Sequence, residues 1–243
     1  MNSNKSLIAD YKLLLKNIPA LVTVAFVLST VLMNLAAGKI IFQISNVAFT
    51  GGFILSWCPF LCMDTVTKRF GARASIMLNV LSALGNLFSV IFLWIVAAIP
   101  NNSQDYSAFN SVFASVWFIV LCSTVAFVVS GVVNSILNSI VGKIFVKNPD
   151  SGVAFFIRSY VSTFVGQFVD NFLFFGGLYC IFAPIFWGFS YPVWTALGTA
   201  VVGGFIELLV EVVFSPLGLH IVKRWDKEDV GREYINAHLT DKI

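Results

Sequence analysis

The stretch ASIMLNVLSALGNLFSVIFLWIVAAI, residues 74–99, decides the fold. It runs 26 residues without a charge and stops at Pro100. At 1.5 Å per residue a helix of that length covers about 39 Å, more than the ~30 Å hydrocarbon core of a bilayer. Inside that core only helices and closed barrels satisfy their own backbone groups. A barrel strand needs polar and apolar residues to alternate, and this stretch does not alternate. The reading is a membrane-spanning helix. Its polar residues include two amides, Asn79 and Asn86, seven residues apart on one face.

Runs of the same kind appear at 19–43, 47–64, 113–142, 156–184 and 191–222. The sequence therefore predicts an all-α integral membrane protein with six transmembrane helices. Whole-chain composition agrees: of 243 residues, 58% are hydrophobic and only 11% charged, where a soluble domain carries about 25% charged. Turn chemistry separates the runs at Pro100-Asn101-Asn102-Ser103, Asn148-Pro149-Asp150-Ser151-Gly152 and Ser190-Tyr191-Pro192. The expected organisation is a cytoplasmic N-tail over 1–18, a transmembrane domain over 19–224 and a cytoplasmic C-tail over 225–243. Leu7, Ile8, Tyr11, Leu14 and Leu15 suit a short interfacial helix before the first span.

Lys and Arg set the orientation of a multi-pass chain. Thirteen of the 15 fall in the N-tail (Lys5, Lys12, Lys16), the 2–3 loop (Lys68, Arg69, Arg73), the 4–5 loop (Lys143, Lys147) and the C-tail (Lys223, Arg224, Lys227, Arg232, Lys242). The 1–2, 3–4 and 5–6 loops hold none, which places both termini in the cytoplasm. The net charge of +3 is then a topology signal, and no nucleic-acid partner is expected. Two His and four scattered Cys give neither a CxxC nor an HExxH, so no metal site and no cofactor are expected. A Walker phosphate loop and a nucleophile–base pair are also missing, which argues against an enzyme. Cys58, Cys62, Cys122 and Cys180 sit in or beside apolar runs, where thiols pack as small hydrophobes.

A charge at the centre of a membrane helix costs roughly 2.5–3.5 kcal/mol, so ionisable residues there are candidates for function. They are Lys39 in the first span, Arg158 and Asp170 in the fifth, and Glu207 and Glu211 in the sixth, with Asp64 at the cytoplasmic end of the second. Gln167 lies three residues before Asp170 on the same face, and Asn171 lies beside it. Amides mark other helices at Asn34, Asn134 and Asn138. Asp170, Gln167, Asn171, Glu207, Asn34, Asn134 and Lys39 are the candidate substrate-binding residues. Asp64, Arg158 and Glu211 are candidates for coupling or gating. The plain alternative is that such groups hydrogen-bond across helix interfaces and hold the bundle together. Spans 1–3 and 4–6 would have opposite orientation, as in a 3+3 inverted repeat. Ser130-Gly131-x-x-Asn134 matches Gly166-Gln167-x-x-Asp170 loosely, at an offset of 36.

The run Ser162-Thr163-Phe164-Val165-Gly166-Gln167-Phe168-Val169-Asp170-Asn171 resembles the fifth-span signature of the VUT family of queuosine-precursor transporters. Asp64-Thr65-Val66-Thr67-Lys68-Arg69-Phe70-Gly71 is similar to a second segment of that family, and Asn34, Gly52 and Pro216 fall where the family has an Asn, a small residue and a Pro. The chain departs from the pattern at Asn134, where the family usually has an Asp, and at Glu207, where it tends to have a Lys. The resemblance implies import of a 7-deazaguanine base: the cyano form preQ0, the aminomethyl form preQ1, or queuine. It implies a secondary carrier with a mid-membrane site, open to proton coupling, in a bacterial cytoplasmic (plasma) membrane. The partners expected are a small purine-like base and membrane lipid, with a homodimer left open. A second reading is a substrate-binding subunit of an ATP-driven, energy-coupling-factor type vitamin or base transporter. Many such subunits carry an A-x-x-x-A docking face on the first helix, and Ala20, Ala25, Ala36 and Ala37 do not form one.

Overall fold

The computed structural model describes residues 7–100, 105–144 and 152–238. The predicted turns at 101–103 and 148–151, and Lys5, Lys147 and Lys242, lie outside those residues. The described chain is mostly helical: α1 (Leu7–Asn17), α2 (Ala20–Ala36), α3 (Trp57–Phe70), α4 (Ala72–Ala98), α5 (Ser107–Phe113), α6 (Val116–Ile144), α7 (Gly152–Phe175), α8 (Ala183–Phe186), α9 (Val193–Lys227) and α10 (Arg232–Ala237). A two-stranded antiparallel hairpin, β1 (Ile40–Ile44) and β2 (Val47–Thr50), follows α2, and a π-helical segment, Gly176–Phe182, joins α7 to α8. Four stretches are long and apolar enough to cross a membrane: Ala72–Ala98, Ser107–Val133, Thr163–Phe186 and Val193–Lys227. A fifth is added if α1 and α2, bent by 109° at their junction, are taken together. Beyond its buried first turns, which hold Met77 and Leu78, α4 exposes large apolar side chains: Leu84, Leu87, Phe88, Ile91, Phe92 and Ile95. Water would not tolerate such a surface, but lipid would.

Local chemistry explains the element ends. Proline disfavours helix in the residue before it, so Ile18-Pro19 breaks α1 from α2, and Asn17 closes α1 by donating to the Leu13 carbonyl at 2.8 Å. Pro59 sits in the first turn of α3, where a missing N–H costs nothing. Gly71, at φ +89°, turns the chain from α3 into α4. Pro216 falls inside the 35-residue α9, which at 1.5 Å per residue is about 52 Å long, well beyond a bilayer core.

The hairpin corrects the sequence reading of 19–43 and 47–64 as continuous helix. The α2 helix ends at Ala36, and the β-branched and aromatic residues of 40–50 pair around a two-residue turn, Ser45-Asn46. Ser45 has a positive φ of 49°, as tight hairpin turns demand. A hairpin pairs the facing backbone groups of its two strands, and Thr199 takes up the N–H and carbonyl of Ala48. The helical part that follows, α3, has 14 residues.

The chain forms two compact units. One comprises residues 1–33, 54–88 and 211–243; the other comprises 34–53 and 89–210. The core of the first gathers Leu14, Phe26, Val66, Phe70, Leu78, Trp225 and Tyr234. The second is built on Phe118, Ile119, Phe175, Leu178, Tyr179 and Ala196. In the second unit the hairpin docks on α9: Thr199 Oγ1 accepts from the Ala48 N–H at 2.9 Å and donates to the Ala48 carbonyl at 3.1 Å. Gly198 lets the Asn46 carbonyl approach so closely that no Cβ would fit there.

Candidate functional site

Three helices of the second unit bring polar side chains together in apolar surroundings. On α7, Gln167, Asp170 and Asn171 share one face at i, i+3 and i+4. From α6, Ser130 donates its hydroxyl to Asp170 Oδ1 at 3.0 Å. From α9, Glu207 is 7% exposed and its Oε2 accepts from Asn171 Nδ2 at 2.9 Å. The same Nδ2 donates to the Gln167 carbonyl at 3.0 Å, so both amide hydrogens of Asn171 are in use. The packing that allows this is glycine-based. A Cβ on Gly203 would lie 3.3 Å from the Asn171 amide, and one on Gly204 would touch Phe164 and the Phe168 backbone.

Two carboxylates thus lie within electrostatic range of each other, Asp170 and Glu207. Among the described residues neither forms an ion pair. Buried carboxylates need hydrogen-bond donors, and Ser130 and Asn171 supply one to each. Asp170 Oδ2 accepts no hydrogen bond among the described residues, and the Gln167 side-chain amide makes none there either. The arrangement can accept hydrogen bonds from a ligand at Asp170 and both give and accept them at Gln167.

The other predicted site residues fall elsewhere. Asn34 is buried near the end of α2 in this same unit. Lys39 is not in a helix; it is exposed in the turn before β1, where its carbonyl accepts from the Gly51 N–H at 2.8 Å. The side chains of Asn134 in α6 and Arg158 in α7 lie outside the described ones. In the first unit Asp64 pairs with Lys68 at 2.7 Å along α3, and Glu211 of α9 is exposed within electrostatic range of both. Gly218 of α9 sits beside this pair, a Cβ there coming 3.4 Å from Asp64 Oδ2. Ser130 and Gly203 are the site residues that sequence reading missed. Ser130 was visible only as a mismatch to an acidic-motif pattern, and Gly203 only as part of a Gly-Gly pair four residues before Glu207.

A separate cavity of about 270 Å³ opens between the end of α4 and α5, lined by Val96, Ile99, Pro100, Tyr106, Phe109 and Asn110. None of the carboxylates lines it.

Several long apolar helices define a multi-pass membrane protein. A family model described as "Putative vitamin uptake transporter" matches residues 50–221, and the chain belongs to that family. The matched region contains Ser130, Gln167, Asp170, Asn171 and Glu207, and it also contains Asp64 and Glu211. Neither a curated protein nor a solved structure matches the chain significantly.

Proposed function

We propose that the protein imports a queuosine precursor, a 7-deazaguanine base, as a secondary carrier, and that Asp170 is the anchor of its substrate site. The observation that carries this reading is the Ser130–Asp170 and Asn171–Glu207 network, which orients two carboxylates and leaves Asp170 Oδ2 and the Gln167 side-chain amide without hydrogen bonds among the described residues. A guanine-type edge offers an N1–H and a 2-amino group side by side, and a carboxylate accepts such a pair well. Gln167 can read a carbonyl or a ring nitrogen. An aminomethyl group or queuine side chain brings positive charge, and Glu207 is the group to meet it.

In this reading the chain crosses a bacterial cytoplasmic membrane six times with both termini inside, and proton coupling runs through Asp170 or Glu207. The second reading, a binding subunit that needs an ATP-driven module, draws support from the vitamin-uptake description of the family. A thermal-shift screen of deazaguanines and vitamins tests the substrate, because a ligand that binds the folded form raises its stability. Stabilisation by the aminomethyl base in the parent, and loss of that preference over the cyano base in Glu207→Gln, is the expected result. A shift with an unrelated vitamin and none with any deazaguanine overturns the substrate assignment.

A further inference from the structure

In the first unit a buried carboxylate oxygen has no hydrogen-bond partner among the described residues. Asp10 of α1 is 2% exposed; its Oδ2 is paired with Arg73 at the start of α4, while its Oδ1 is buried without a hydrogen bond. Nε2 of His238, just past the end of α10, lies 3.6 Å from Oδ1. That imidazole is itself held in place. Its Nδ1 lies 3.0 Å from the Tyr234 carbonyl, and its ring stacks on the Tyr234 ring with centroids 4.4 Å apart.

The carbonyl can only accept, so the proton on a neutral His238 belongs on Nδ1. The neutral ring then turns the lone pair of Nε2 toward a carboxylate oxygen, and two acceptors face each other. One added proton removes the conflict, because an imidazolium donates from both nitrogens. We infer that a proton taken up between His238 and Asp10 latches α10 to α1, making the junction of the two terminal helices sensitive to pH. Among the described residues, other charged and titratable groups on these elements have partners of their own. Arg73 occupies Oδ2, Lys16 of α1 pairs with Glu233 of α10 at 2.9 Å, and the Tyr234 hydroxyl reaches Met77 Sδ at 3.9 Å. Tyr11 is on α1, and Arg69 of α3 is paired with Asp226 and bonded to the Val230 carbonyl. None of these donates to Asp10 Oδ1.

The sign follows from linkage. The latched form binds the extra proton, so latching is favoured as pH falls and is lost as pH rises. The latch has no part in the substrate network and stands whatever solute the protein carries. Hydrogen exchange of the full chain in lipid nanodiscs, corrected for the intrinsic pH dependence of exchange, reads the docking of α1 and α10. Protection over 232–238 is expected to fall by about tenfold between an acidic and an alkaline buffer, the scale of one charge-assisted hydrogen bond. His238→Ala is expected to show the low protection at both pH values. Unchanged protection in the parent overturns the inference, and so does the same pH-dependent fall in His238→Ala. Should His238→Ala fail to fold, His238→Gln, whose side chain does not titrate, takes its place with the same expected and overturning results.

Discussion

Both N–H donors of Asn171 are engaged, one on the Gln167 carbonyl and one on Glu207. Its role is to position Glu207, which lets it matter without touching the solute. Replacing it with Leu strands a buried carboxylate, and a hydrogen bond to a charged group is worth about 1.5–3 kcal/mol. Binding of a cationic base to Asn171→Leu should weaken roughly tenfold to hundredfold, measured by equilibrium binding in detergent. Ser130→Ala removes the donor to Asp170 and should weaken binding of the cyano and the aminomethyl base alike. At this scale the sequence was only partly legible. Scarcity of charge singled out Asp170 and Glu207 as candidates, and the structure joins both to one hydrogen-bonded network. That scarcity could not show that Ser130 is a partner, since a hydroxyl in a membrane helix costs little and usually satisfies itself on its own backbone. Lys39 misled for the converse reason: it looked intramembrane only while residues 40–44 were read as helix.

The hairpin is the element where local pattern and tertiary context parted. Residues 40–50 are as apolar as the helices around them, and apolar runs alone do not distinguish a strand from a buried helix. The signal present was a two-residue Ser-Asn turn between β-branched and aromatic segments. Docking of this hairpin rests on Gly198, so Gly198→Val should destabilise the protein by about 1–3 kcal/mol through overpacking. Gly131→Ala, where nothing among the described residues lies within 4 Å of a Cβ, should be neutral or slightly stabilising. Thermal unfolding of the two variants checks the contrast. The terminal helices offer a second test. Lys16 holds the Glu233 carboxyl below its ordinary value of 4.5 by a direct hydrogen bond. A depressed carboxylate contributes stability above its ordinary range and loses it as pH falls through the lowered value. Lys16→Ala should therefore flatten the acid limb of the stability profile, and both groups being exposed, the effect should be small. The opposite slope in that limb would contradict the pairing.

For the molecule as a whole, the strongest sequence signal was where charge is absent. Helices α4, α6, α7 and α9 stand close to the apolar runs that predicted them, because length and hydropathy are what a bilayer selects. The 109° break between α1 and α2 follows from Pro19, and a helix over Leu7, Ile8, Leu14 and Leu15 was legible in their spacing. The two-unit division, whose boundaries fall within α2, α4 and α9, had no sequence signature, since nothing in hydropathy marks which half of a helix packs with which neighbours. The proposed topology predicts that single cysteines at Lys12 and Lys227 label only from the cytoplasmic side and one at Ser107 only from outside. The central claim, a carrier that works alone through Asp170, is tested most directly by uptake of a labelled 7-deazaguanine into liposomes holding only this purified protein, with and without a pH gradient. The account predicts uptake by the parent, faster with the gradient, and none by a folded Asp170→Asn variant. Binding without uptake by the parent, or equal uptake by the variant, would contradict it.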